Sequence, residues 1–169
     1  MFSDCTSLTT APELPATRLA NYCYYYMFSD CTSLTAAPSL PATTLKNYCY
    51  SYMFNGCTSL TAAPSLLPAI TLQNGCYNGM FNKCSTLTTA PELPAISLVN
   101  YCYFKMFNGC TSLNYIKAMF RTTPSTTYTR DWVSGVSSRG TFVKNSAATW
   151  NVTGTYGIPS GWTVQTVSS

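Results

Sequence analysis

Residues 27–52 read MFSDCTSLTAAPSLPATTLKNYCYSY, and this string decides how the rest of the chain is read. Aligned at Met-Phe, it opens again at Met1, Met53, Met80 and Met106, so the successive spacings are 26, 26, 27 and 26 residues. The common unit is M-F-x-x-C-T-S-L-T-x-A-P-x-L-P-A-x-x-L-x-N-Y-C-Y-x-x, with one extra residue at Leu66-Leu67 in the third unit. A fixed period of this length implies a solenoid, in which each rung buries one face against its neighbours.

Within a unit, Asn21, Asn47, Asn74 and Asn100 stand where an N-cap would accept a backbone N–H at the start of a short helix. Leu19, Cys23 and Met27 follow at i, i+4, i+8 and form one apolar stripe. Leu34, Ala37 and Leu40 are expected in the core, on a short strand and the extended segment after it. Prolines such as Pro38 and Pro41 hold that segment extended. Tyr24, Tyr50, Tyr77 and Tyr103 are expected to stack as a ladder.

The unit resembles the BspA-like leucine-rich repeats of bacterial surface proteins. The residues carrying the likeness are Met27-Phe28, Cys31, Leu34 and Leu40-Pro41, recurring in the first four units over residues 1–113. Met replaces the family's small residue before Phe, and Cys23 or its equivalents replace a later aliphatic. These departures suggest the variety common in gut Bacteroides-type proteins and in phages that infect such cells. The resemblance implies an α/β repeat fold: a leucine-rich-repeat solenoid of short parallel strands and short helices, in units starting at 1, 27, 53, 80 and 106. It also implies an extracellular or cell-surface setting and a binding or adhesion role.

After Leu113 the period fails. Pro124-Ser125-Thr126-Thr127 reads as a turn-rich link, Thr129–Trp132 as the opening of a short helix, and Gly140–Lys144 as a strand. Ile158–Val164 reads as a turn followed by an alternating strand. Residues 114–169 are therefore expected to form a small β-rich cap over the last rung, with Trp132, Trp150 and Trp162 as its core. The strings W-V-S-G-V and I-P-S-G-W-T-V also look like the ends of Bacteroides-type surface repeat proteins. At the other end Met1 is itself a repeat Met, so further repeats upstream, or an end-to-end contact at an uncapped first rung, are expected.

Composition narrows the function. Charged residues are 8% of the chain against an ordinary share of about 25%. Residues 1–105 balance Arg18, Lys46, Lys83 and Lys105 against Asp4, Asp30, Glu13 and Glu92, so the net +4 falls on residues 106–169. Nucleic-acid binding needs denser basic clusters, and no partner of that kind is expected. No run reaches the roughly 18 apolar residues of a membrane helix, so no membrane insertion is expected, and no basic and apolar leader opens the sequence.

There is no histidine, so no Ser-His or Cys-His pair can activate a nucleophile. No phosphate-cradling glycine motif occurs either. The nine cysteines form two ladders, Cys5, Cys31, Cys57, Cys84, Cys110 and Cys23, Cys49, Cys76, Cys102. Their spacings are unlike close zinc-ligand pairs, and they are expected as free, buried thiols. No enzyme, cofactor or metal is expected.

The positions that vary between units are free of core duty. They are Tyr25, Ser51, Asn78 and Phe104, then Tyr26, Tyr52, Gly79 and Lys105, and across the unit Thr10, Ala36, Ala62, Thr89 and Tyr115. Tyr25, Tyr26, Ser51, Tyr52, Asn78, Phe104 and Lys105 are the candidate contacts for a protein or glycan partner, because Tyr gives contact area at low entropy cost. A phage tail receptor-binding piece and a structural spacer are the alternatives.

Overall fold

The computed structural model describes residues 1–168. Its most regular feature is a ten-residue run of consecutive turns that recurs at residues 21–30, 47–56, 74–83 and 100–109. Each run contains left-handed residues four apart, for example Tyr22 (φ 58°), Tyr26 (φ 53°) and Asp30 (φ 57°). The same places hold Tyr48, Tyr52 and Gly56, then Gly75, Gly79 and Lys83, then Tyr101, Lys105 and Gly109. None of the twelve is β-branched, the class of side chain that tolerates positive φ least.

Hydrogen bonding in a run alternates residue by residue. The N–H groups of Tyr25, Met27 and Ser29 donate back three residues, to the carbonyls of Tyr22, Tyr24 and Tyr26. Those of Tyr24, Tyr26, Phe28 and Asp30 instead donate across to Cys49, Ser51, Met53 and Asn55, one unit further on. Half of the backbone donors thus tie one unit to the next, and the units lie side by side in tiers.

On the other limb the proline-rich segments meet at single parallel bridges, among them Thr10 with Ala36, Ala36 with Ala62, and Thr89 with Tyr115. Only towards the C-terminus do these lengthen into strands. β1 (Tyr115–Ala118), β2 (Thr141–Asn145) and β3 (Thr163–Val167) form one parallel sheet in the order β1-β2-β3. Its register pairs Tyr115 with Thr141 and Thr141 with Thr163. Between β1 and β2 lies a single four-residue helix, α1 (Thr126–Thr129), whose N-cap Ser125 accepts the Thr127 N–H.

The core is layered as columns. Phe2, Phe28, Phe54, Phe81 and Phe107 stack with centroids 5.5–5.9 Å apart and planes within 10°. Beside them Tyr24, Tyr50, Tyr77 and Tyr103 stack at 5.6–6.1 Å, as the ladder expected above. Burial deepens away from the first tier: Phe2 is half-buried, while Phe28 and the rings after it are fully buried.

The leucine-rich-repeat solenoid of short parallel strands and short helices, with its β-rich cap, is not what the chain forms. Among the described residues there are three strands of four or five residues and one helical turn, and nearly all the rest is turn, bend and irregular chain. The physical reasons are specific. A helix directs every N–H along its own axis, whereas here alternate N–H groups leave for the next unit. A left-handed residue at every fourth position also prevents helical continuation. On the other limb, prolines at 38, 41, 64, 68, 91 and 94 lack the N–H that a ladder needs.

Related expectations change with the fold. The Asn residues do not cap helices, and the Asn21 side-chain oxygen instead accepts the Asn47 N–H one tier away. The stripe of Leu19, Cys23 and Met27 is not on a helix, and Cys23 is exposed, whereas Cys49, Cys76 and Cys102 at the same place are buried. The helix expected to open at Thr129 ends there.

Tiered hydrogen bonding does not stop where the sequence period fails. Tyr101, Tyr103, Lys105, Phe107 and Gly109 donate to Thr127, Tyr128, Arg130, Trp132 and Ser134. Trp132, Trp150 and Trp162 are buried, with indole N–H groups donating to the carbonyls of Gly157, Phe120 and Ser137.

Candidate binding face

The turn runs project their left-handed residues in rows along one flank. Tyr22 stacks on Tyr48 at 5.1 Å and 4°, and Tyr26 on Tyr52 at 4.9 Å and 9°. Tyr25 bridges the two columns edge-on, 5.7 Å from Tyr22 and 4.6 Å from Tyr26. Five tyrosines therefore form one patch, in which Tyr22 is 54% and Tyr25 44% exposed.

Both columns stop at the third run. A Cβ at Gly75 would run into the Tyr48 ring, and one at Gly79 into the Tyr52 ring, so the two rings lie directly over bare glycine backbone. Past that gap a second, smaller group begins, with Tyr101 edge-on to Phe104 at 5.9 Å. The Lys105 ammonium and the Arg130 guanidinium lie 5.6 and 5.8 Å from the Phe104 ring centre, within reach of a cation–π contact.

A non-glycine residue in the left-handed region costs roughly 1–2 kcal/mol, and Tyr22, Tyr26, Tyr48 and Tyr52 are all held there. Stacking returns about 0.5–1.5 kcal/mol per pair and offsets part of that. Glycine carries no such cost and fills the same places at 75 and 79. Strained side chains kept at a surface are the kind that serve recognition. Burial pushes the Tyr26 and Tyr52 phenols up, so both stay protonated at neutral pH and can donate hydrogen bonds.

Of the candidate contacts, the fold gathers Tyr25, Tyr26 and Tyr52 into the patch, and places Phe104 and Lys105 in the second group. Ser51 is not on the surface at all: it is fully buried, and its hydroxyl has no partner. Asn78 is half-buried, with its side-chain oxygen enclosed and unpartnered. Tyr22 and Tyr48 belong to the patch but stand in the recurrent N-Y-C-Y string, which reads as structural. The usable signal was glycine at 75, since a core position would not have given up its ring.

Other chemistry is quiet. All nine cysteines are free thiols; Cys5 and Cys23 are exposed and the other seven buried. Four of the buried ones donate to carbonyls about a tier away, Cys31 to Phe2, Cys57 to Phe28, Cys84 to Phe54 and Cys110 to Phe81, at 2.9–3.1 Å. Burial raises Cys49 to about 11 and Cys57, Cys102 and Cys110 to about 12. These thiols are therefore neutral and unreactive at physiological pH. Among the described residues no cluster of three or more His, Cys, Asp or Glu side chains could hold a metal, and no helix is long and apolar enough to cross a membrane. Comparison of the chain with protein-family models, with curated proteins and with solved structures gave no match.

Proposed function

We propose that this chain is a non-catalytic binding module, which recognises a protein or glycan partner through the tyrosine patch built by the first two turn runs. The observation that carries the reading is the set of four tyrosines held in left-handed backbone, Tyr22 exposed and Tyr26, Tyr48 and Tyr52 half-buried, where glycine serves the fold in the next run. Two stacked columns offer ring edges and hydroxyls at a spacing near 5 Å, with Tyr22 and Tyr25 exposed. Such a surface supplies rigid contact area with polar tips.

In this reading the first two turn runs, within residues 1–113, carry the face. The setting, a bacterial surface protein of adhesive role, is taken from the BspA-like resemblance of Met27-Phe28, Cys31, Leu34 and Leu40-Pro41. The test is binding of the purified chain to a glycan array and to extracellular-matrix proteins, beside a variant with Tyr22, Tyr25 and Tyr26 changed to Ser. Specific binding that disappears in the folded variant is the expected result. Binding to neither set, by a chain shown to be folded, refutes a recognition module and leaves a spacer.

A further inference from the structure

A groove of about 380 Å³ is lined by Thr17, Arg18, Leu19, Thr44 and Lys46. It lies where the first two tiers meet, at the parallel bridge between Arg18 and Thr44. Arg18 and Lys46 are both exposed, and neither is ion-paired with a carboxylate among the described residues. Thr17 and Thr44 are exposed beside them and bring hydroxyls. The acids of the first two units are engaged elsewhere: Glu13 lines a separate groove with Leu14 and Pro38, and Asp30 lies over Gly56 and accepts from the Ser29 hydroxyl.

This groove adjoins the tyrosine patch. Lys46 precedes Tyr48 by two residues, which limits their Cα atoms to about 7 Å, and Arg18 precedes Tyr22 by four in the same tier. The two cations thus stand four and two residues before the first pair of stacked rings, Tyr22 and Tyr48.

We infer that groove and patch form one composite site for an acidic saccharide. The flat face of a pyranose would lie on Tyr22 or Tyr25, and its carboxylate or sulfate would be held by Arg18 and Lys46. An arginine fork suits carboxylate and sulfate oxygens geometrically, with lysine adding a second charge. Hydroxyl-rich walls favour a sugar over an acidic peptide, which would need apolar pockets for its other side chains. The inference rests on the tyrosine patch being a binding surface.

The test is calorimetric titration with sialyllactose, tetragalacturonate and a heparin tetrasaccharide, beside lactose, maltotetraose and a Glu-rich peptide. At least one acidic sugar should bind ten-fold or more tightly than the neutral sugars and the peptide. The double variant Arg18→Gln/Lys46→Gln should lose about ten-fold per removed charge, whereas Lys83→Gln, another exposed cation, should change nothing. Tight binding of a carboxylated but not a sulfated sugar, or the reverse, identifies which acid the groove takes.

The inference is overturned if no probe binds, if neutral sugars or the peptide bind as tightly, or if Lys83→Gln weakens binding as much as the double variant. Neutral-sugar binding lost with Tyr22, Tyr25 and Tyr26 but intact in Arg18→Gln/Lys46→Gln sinks this inference and leaves the patch standing. Acidic-sugar binding lost only in Arg18→Gln/Lys46→Gln sinks the role of the tyrosines instead. All the substituted residues except half-buried Tyr26 are exposed, so denaturation midpoints near the parent's establish that each variant is folded.

Discussion

Gly79→Ala tests the geometry of the tyrosine face more sharply than removing a tyrosine would. Gly79 has φ 58°, where alanine pays the left-handed penalty of roughly 1–2 kcal/mol. The added methyl would also meet the Tyr52 ring at Cε1 and Cδ1. That ring must swing away and forfeit its stack on Tyr26, now 4.9 Å distant, at about 0.5–1.5 kcal/mol. The expected loss is therefore about 2–3 kcal/mol, read as the change in equilibrium urea unfolding. In a Tyr52→Ala background only the backbone penalty should remain, so the double-mutant cycle should return a coupling of about 1 kcal/mol. If Gly79→Ala costs the same with and without the Tyr52 ring, the ring does not lie over Gly79 and the column does not end there.

Two further outcomes follow from the tiers. Phe54→Ala removes a fully buried ring with stacked neighbours at 5.6 Å on both sides and should cost about 3–5 kcal/mol, whereas Phe2→Ala, half-buried with one stacked neighbour, should cost less than half as much in the same unfolding assay. Thiol labelling of the native chain near pH 8 should modify Cys5 and Cys23 only, with all nine reacting after unfolding, as read by intact mass. The raised thiols also set an alkaline limit. Below about pH 9 they are neutral in both folded and unfolded chains, while between about 9 and 11–12 the unfolded chain ionises first. Stability should then fall by up to roughly 1.4 kcal/mol per pH unit for each such thiol, and a flat profile from pH 8 to 11 would contradict their burial.

The sequence by itself determined the repeat, its register and the contents of the columns. A period of 26 residues brings Phe28 to Phe54 and Tyr50 to Tyr77, because equivalent side chains in stacked units must meet. It also placed the cysteines in two ladders at the repeat period. What it did not determine was the backbone between those points. The spacing of Leu19, Cys23 and Met27 at every fourth residue fits an α-helix, but a chain of turns that reverses hand every fourth residue repeats at the same interval. Periodicity alone cannot separate them.

Only the tertiary structure decided between the two, through hydrogen bonds to residues one unit away that no local pattern encodes. That choice moved Ser51 into the interior, brought Tyr22 and Tyr48 out beside Tyr26 and Tyr52, and set Arg18 and Lys46 along one groove. It also carried the tiers past Leu113, where Thr127, Tyr128 and Trp132 accept the same bonds with different side chains. Backbone pairing needs no particular side chain, so the stack continues where the sequence period is no longer visible.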